Sequence, residues 1–357
     1  CSRFAAEKPT GVELYTNHVV EGIIAQADVL GYEEVRLYAK NAQQLEKLLS
    51  LIEKSAQKTL RVIFLERQYF WTLFWLSWEI FRRPVDVLFV PSHTLPLVVP
   101  QRSILTVHGV EALLFPQAYS FLQRWYQQFS LWWAKRKGAE LIAVSEAVKK
   151  ALVRIFQIQE ALVKVVWNGA NTTKNEQRKT ENKNVNVLIE GKYVLHVGRL
   201  EERKNQLRLI EAFEQIAPEF PKLQLVLVGG DGYGAEKIHA RVKASPLKDS
   251  IRLMGYVEQD MVQQLMKRAQ LFVYPSLAEG FGIPLLEAFQ ARCVVLTSKG
   301  SACEEIGGEA AYYCDPESVE SIAQGLRTLL TNEALKTRLI SLGAERVKEF
   351  SWEKSIA

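Results

Sequence analysis

The 357-residue sequence is defined first by what it has little of. There are four cysteines, Cys1, Cys293, Cys303 and Cys314, and no two form a CxxC pair. A disulfide framework or zinc ribbon does not fit that usage, and buried free thiols in a reducing compartment do. Cys293 and Cys314 lie in apolar runs that read as core strands. The five histidines (His18, His93, His108, His196 and His239) show no HExxH or other metal spacing. No apolar run approaches the ~20 residues that a membrane-spanning helix needs. No dense basic run with interleaved aromatics occurs, so nucleic acid is not an expected partner. No signal-peptide pattern is visible. The expected location is the cytoplasm, up to the inner face of the plasma membrane.

Present instead is an ordinary soluble balance, 24% charged and 48% hydrophobic, with a net charge of +5. An anionic substrate or an anionic lipid surface is compatible with that sign. The length predicts two domains. Nearly continuous apolar runs at 35–39, 60–65, 85–90, 103–108 and 140–144 read as parallel strands covered on both faces. Between them lie helical patterns; Val19, Val20, Ile23, Ile24, Ala27 and Leu30 form one face. Ser145 reads as the N-cap of a helix over 146–156. Residues 171–186, NTTKNEQRKTENKNVN, are almost without apolar side chains and read as an exposed linker. Alternation resumes with strands at 193–197, 223–228, 251–254, 271–275 and 293–297. The fold class is therefore α/β, two doubly wound Rossmann-like domains with a ligand cleft expected between them. The most apolar stretch, QYFWTLFWLSW at 68–78, is either a core helix or a surface resting on a bilayer through its tryptophans. The Trp-rich stretch 125–133 leaves the same choice open.

The most informative motif is EGFGIPLLEA, residues 279–288. Glu279 is placed in a strand-to-helix loop. Glu287 is placed in the first turn of a helix with Pro284 at its first position. Gly280 and Gly282 let the backbone approach a ligand. Free N–H groups at the helix start suit a phosphate. A carboxylate beside a phosphate site suits sugar hydroxyls, although a first-turn Glu also serves simply as a dipole partner. GRLEERKN, residues 198–205, follows the first strand of the second half. It sets Arg199 and Lys204 at a strand's C-terminal end, where a fork and a point charge suit a diphosphate. A solvated basic loop would look the same. GGDGYG at 229–234 reads as a tight turn near the ligand. No Asp-x-Asp motif exists to hold a divalent metal, so the cations must come from the protein and no metal or other cofactor is expected.

Together these motifs resemble the retaining glycosyltransferases of family 4, which have the two-domain GT-B fold. The likeness runs through YVLHVGRLEERKN, LVLVGGDG, IRLMGYV and PSLAEGFGIPLLEAFQA in the second half. In the first it runs through PTGVELYT, DVLFVPSHTLPLV, LTVHGVE, LIAVSEAVK and VVWNGAN. The first-half pattern looks most like bacterial polysaccharide-building enzymes, several of which use mannose donors. The resemblance implies an acceptor-side domain at 1–170, a linker at 171–190, a donor domain at 191–340, and at 341–357 the start of a terminal helix crossing back. It implies that Glu287 binds the ribose and Glu279 the donor sugar. Phe281 and Gly282 would offer backbone N–H groups, with Gly280, Ile283 and Gly198 in the same donor-binding set. Arg199 and Lys204 would hold the departing diphosphate, Gly11 would approach the same phosphates from a first-domain loop, and His108 would lie beside the sugar.

The chain departs from the family pattern at His108-Gly109, at 168–171 (NGAN) and at 302–305 (ACEE). The ends look cut, and the native protein is expected to extend at both. The implied activity is metal-independent transfer of a hexose, mannose-like by preference, from a nucleotide-diphosphate sugar to a glycan or polyprenyl-linked acceptor. A nucleotide-sugar 2-epimerase of the same fold, or a non-catalytic nucleotide-sugar binder, are the rival readings. Donor base, sugar, acceptor, linkage and oligomeric state are not encoded in readable form.

Overall fold

The computed structural model describes residues 11–27, 29–39, 60–64, 71–92, 94–170 and 189–356. The chain folds as two compact units, Cys1–Gly169 with Ser351–Ala357, and Ala170–Phe350. The 171–186 stretch expected as a linker lies outside the described residues. At 189 and 190 the chain is already tied to the second unit: Ile189 is buried, and Gln224 donates its side-chain amide to the Glu190 carbonyl at 2.6 Å.

In the first unit, α1 (Gly11–Gln26) buries Val19, Val20 and Ile24 on the face its spacing predicts. Leu30, expected on that face, lies past the helix end and is exposed. Strands β1 (Val35–Ala39) and β2 (Leu60–Phe64) pair in parallel. A separate parallel sheet has the order β3 (Val87–Val90), β4 (Arg102–Val107), β5 (Glu140–Ala143), β6 (Val163–Val165). The stretch Trp71–Leu76 forms a π-helical turn that runs into α2 (Ser77–Arg82). A longer helix, α3 (Phe121–Lys137), opens on a capping box between Ser120 and Gln123 and closes on Gly138 in the left-handed region. Ser145 caps α4 (Glu146–Phe156) by accepting from Val148 N, as its sequence position predicts. The tail helix Trp352–Ile356 belongs to this unit: Trp352 lies against Tyr15 and stacks on His18.

The second unit is one six-stranded parallel sheet with helices between successive strands. Its elements are β7 (Tyr193–Val197), α5 (Gln206–Ile216), β8 (Gln224–Val228), α6 (Ala235–Ala244), β9 (Ile251–Leu253) and α7 (Gln259–Arg268). They continue as β10 (Leu271–Tyr274), α8 (Ile283–Gln290), β11 (Val295–Ser298), α9 (Ala302–Gly307), β12 (Ala311–Cys314), α10 (Val319–Thr331) and α11 (Glu333–Arg346). The run 293–297 forms its strand two residues later than the sequence suggests, which leaves Cys293 just before β11. Helix α11 runs through residue 340, the expected end of the donor domain. Residues Val194, Leu225, Leu227, Leu271, Val273 and Leu296 are sealed from solvent in the core on this sheet. That is why these strands read as continuous apolar runs.

Strand order in this sheet is β9-β8-β7-β10-β11-β12. Counted from β7 it is the 3-2-1-4-5-6 order of a dinucleotide-type fold, and the order reverses between β7 and β10. In open α/β sheets ligands bind at the C-terminal ends of the strands at such a switch point. The loops leaving those ends of β7 and β10 carry residues 198–205 and 275–282, the two motifs singled out in the sequence.

Candidate functional site

The β7 loop is shaped locally. After Val197 the chain leaves the sheet through Gly198, makes a 3-10 turn at Glu202–Lys204, and enters α5 through Asn205. Asn205 has φ 64, a left-handed conformation that Asn tolerates better than most residues. Its side-chain amide donates to the carbonyls of Pro275 (3.0 Å) and Pro316 (2.7 Å). Leu277 N donates to the Arg203 carbonyl at 2.8 Å. The two loops at the switch point are thus stitched to each other by backbone and side chain. This tie fixes where Lys204 points.

Lys204 is buried and donates to Glu279 Oε1 and to the Tyr274 hydroxyl, each at 2.5 Å. Arg203 Nη1 donates to Glu279 Oε2 at 3.3 Å, and its Nη2 pairs with Glu201 at 2.8 Å. Burial alone would raise the Glu279 carboxyl. The charges of Lys204 and Arg203, with the Lys204 hydrogen bond, outweigh burial and hold it down at about 2. Beneath Lys204, Tyr274 stacks on His196. The His196 Nδ1 faces the Val273 carbonyl at 2.9 Å, and its Nε2 faces the Gln206 amide at 3.2 Å. Burial pushes this imidazole down to about 4, so it is neutral, with Nδ1 the donor and Nε2 the acceptor. The lysine therefore stands on an uncharged, hydrogen-bonded floor.

Helix α8 begins at Ile283, entered through Gly282 at φ 108, and Pro284 is its second residue rather than its first. Glu287 is consequently its fifth residue and lies beyond the first turn where the sequence pattern places it. Service as a dipole partner no longer accounts for it. Its side chain is 6% exposed and accepts from Gln259 Nε2 at 2.6 Å. Burial pushes its carboxyl up to about 7, and the Gln259 bond only partly offsets this. A buried carboxylate held by a neutral amide is a group suited to meeting a diol. Gly280, Phe281 and Gly282 are buried at the helix entrance, and Phe281 packs edge-on against Phe350.

Arg199 is placed differently from the expected pair with Lys204. It is exposed, and its Nη2 donates to the Asp231 carbonyl at 3.1 Å. The GGDGYG turn runs alongside the β7 loop: Leu200 N donates to the Gly230 carbonyl and Gly232 N to the Leu200 carbonyl. Gly198 N donates to the Val228 carbonyl at 2.8 Å. A Cβ on Gly198 would make only ordinary contacts with His196 and Lys204.

In the first unit, His108 directly follows β4, as the sequence predicts. Its Nε2 donates to the Pro91 carbonyl at 2.8 Å, and its ring meets Tyr15 edge-on at 4.8 Å. Gly11 is the first residue of α1 rather than a loop residue, one turn before Tyr15 on the same helical face. Tyr15 in turn bonds Thr106 at 3.0 Å, so the start of α1 is anchored at the C-terminal end of β4 beside His108.

Sequence reasoning missed four residues of the second-unit cluster: Arg203, Tyr274, His196 and Gln259. Arg203 looked like part of a solvated basic loop, and Tyr274 and His196 sat inside apolar strands. Position alone could have marked Tyr274, the last residue of a strand at the switch point.

Residues 9–174 match the family model described as Glycosyltransferase Family 4, and residues 177–346 match Glycosyl transferases group 1. The O-antigen chain mannosyltransferase B of Escherichia coli is 25% identical over 258 residues, 71% of this chain and 68% of that protein. The O-antigen chain mannosyltransferase RfbU of Salmonella typhimurium is 26% identical over 237 residues, 66% of this chain. The match spans 63% of that relative's own length, under two thirds. Among solved structures, Anabaena HepE in complex with UDP and glucose superposes with a TM-score of 0.72 at 19% identity. That alignment covers 98% of this chain and 95% of the other.

Proposed function

Because the chain belongs to glycosyltransferase family 4, enzymes of the GT-B fold that transfer sugars, we propose that it moves a hexose from a nucleotide-diphosphate sugar to a glycan or lipid-linked acceptor hydroxyl. A mannose-like sugar is favoured, since both O-antigen relatives are named as mannosyltransferases. The carrying observation is the convergence of Lys204, Arg203 and Glu279 at the switch point of the second sheet, with Glu287 on the helix that follows.

Each group has a part in that reading. Lys204 gives two of its three N–H donors to Glu279 and Tyr274 and turns the third to the diphosphate. Arg199 meets the same charge from the exposed side. As the bond to the anomeric carbon breaks, negative charge grows on the departing diphosphate, and fixed cations lower that barrier. No divalent metal is required for this role. Glu279, held ionised, accepts hydroxyls of the donor sugar. Both its oxygens lie against cations, so it is a poor nucleophile. Transfer with retention then proceeds by departure and attack on one face of the sugar. Glu287 accepts the ribose hydroxyls, and Phe281, Gly282 and Ile283 offer backbone N–H groups to the phosphates. On the first unit, His108 and Gly11 serve the sugar and the phosphates.

Thermal-shift binding of UDP, GDP and ADP, in the presence of a chelator, tests this. One diphosphate should stabilise the protein, by about 2.7 kcal/mol at a hundredfold excess over Kd, and thereby name the donor's base. No stabilisation by any of the three at millimolar concentration would sink the donor site.

A further inference from the structure

Two helical segments of the first unit turn aromatic faces outward. On α3 the exposed positions 121, 125, 128, 132 and 136 recur at helical spacing and form one stripe. Phe121 (70% exposed), Trp125 (50%) and Trp132 (49%) dominate it, with Leu122 (73%) beside Phe121 at its start. On α2, Trp78 (55%) and Phe81 (66%) stack on each other and face solvent. Both helices are bound to the same loop: Ser77 accepts from Leu97 N and Val98 N, and Ser130 accepts from Leu95 N. Ordinary surface helices put charge on this side and bury their large apolar residues.

Along α3 and the segment leading into it, the charge is of one sign. Residues 112–139 carry Arg124, Lys135, Arg136 and Lys137 and no carboxylate. Arg136 lies over the Trp132 ring at 6.0 Å and Lys137 over Trp133 at 4.7 Å. On α2, Glu79 is buried and paired with Arg83, Arg82 is exposed, and Asp86 beyond it is an exposed carboxylate. Aromatic rings beside cations match the boundary between acyl chains and anionic headgroups. A second copy of the same face would set the α3 cations against each other.

We propose that the exposed faces of α2 and α3 seat the first unit on an anionic lipid bilayer, with the aromatic rings at headgroup depth and Arg136 and Lys137 against lipid phosphates. The proposal goes beyond sugar transfer and does not depend on it, because its readout is partition and not activity. The full-length protein is mixed with vesicles of phosphatidylcholine, with and without phosphatidylglycerol, and co-sedimentation and tryptophan emission are followed. It should sediment with the anionic vesicles, with a blue-shifted emission, and salt should weaken the binding. Arg136→Glu with Lys137→Glu should lower partition roughly thirtyfold or more, at the strength of two surface cations. Trp125→Gln with Trp132→Gln should lower it at least tenfold at an unchanged melting temperature. If that pair disturbs folding, Phe121→Ser with Leu122→Ser probes the same stripe. Absence of vesicle binding overturns the proposal, as does equal binding to both vesicle types that no substitution alters. A wild-type dimer that the tryptophan pair disperses also overturns it, and makes the face a contact between copies.

Discussion

Glu287 carries two opposed expectations, one for the empty protein and one for the occupied site. Its carboxyl is raised from 4.5 to about 7 by burial. The folded state therefore binds the proton more tightly than the unfolded state does. Its contribution to stability is full below pH 4.5 and is lost as pH rises through about 7, a swing of ~3 kcal/mol at most. Glu287→Gln should raise the melting temperature of the ligand-free protein near pH 8 and change it little near pH 5. The same substitution should remove most of the diphosphate affinity. In the wild type that affinity should climb as pH rises through about 7, because the diol meets the ionised form, and the climb should vanish in Glu287→Gln. Calorimetric titration at several pH values decides this; a flat wild-type profile would count against the ribose role. Glu279 has the opposite sign: held at about 2, it stabilises above pH 4.5 and loses that as pH falls. Lys204→Ala leaves it facing Arg203 alone, which should cost roughly 3 kcal/mol of stability and about 10²-fold or more in turnover. Lys204→Met with Glu279→Gln removes both charges. Stability should return there while turnover does not; recovered turnover would reduce the pair to a structural role.

The loops leaving β7 and β8 are joined edge to edge, and one glycine makes the join. Gly229 has φ 144, and a Cβ there would collide with the Gly198 carbonyl oxygen. Its neighbour Gly230 has open space around its Cβ position. Gly229→Ala should push the Gly198 to Lys204 loop out of place, losing about 3 kcal/mol or more and most diphosphate affinity. Gly230→Ala should melt within ~1 °C of wild type. Denaturant melts of the two side by side check this, and equal behaviour would show that the join is pliable. Strands and switch-point motifs were legible in the sequence for one reason. Parallel strands buried on both faces write themselves as apolar runs, and loops at their C-terminal ends carry the polar exceptions. The α8 start was misplaced by one residue because Gly282, at a positive φ, lets Ile283 begin the helix ahead of Pro284. Arg203 and Gln259 were illegible because their partners, Glu279 and Glu287, are 76 and 28 residues away. Such pairings arise only from the sheet order. The roles of His108 and Gly11 rested on resemblance, and the structure adds their shared anchorage through Tyr15.

At the scale of the molecule, every group given a donor role except His108 and Gly11 falls within Ala170–Phe350. That span holds the whole six-stranded sheet and its own sealed core, running from Val194 to Leu339. At its end, Phe350 is buried against Phe281, beneath the guanidinium of Arg346. Arg346 also donates to the carbonyls of Glu305 and Ile306, so the terminus is pinned to the helix beside the donor loop. A unit of this size with one core is large enough to fold alone. Residues 170–350 expressed by themselves should therefore melt cooperatively and bind the same diphosphate as the full chain, within about tenfold in Kd, since the binding groups are intact. They should not transfer sugar, because the acceptor-side residues are missing. Calorimetry on the fragment separates the alternatives. Folding without diphosphate binding would mean that the first unit supplies phosphate contacts, as Gly11 is proposed to do, and would move much of the donor's binding energy there. Failure to fold would show that the tail Ser351–Ala357 and the first unit stabilise the second beyond what its own core provides.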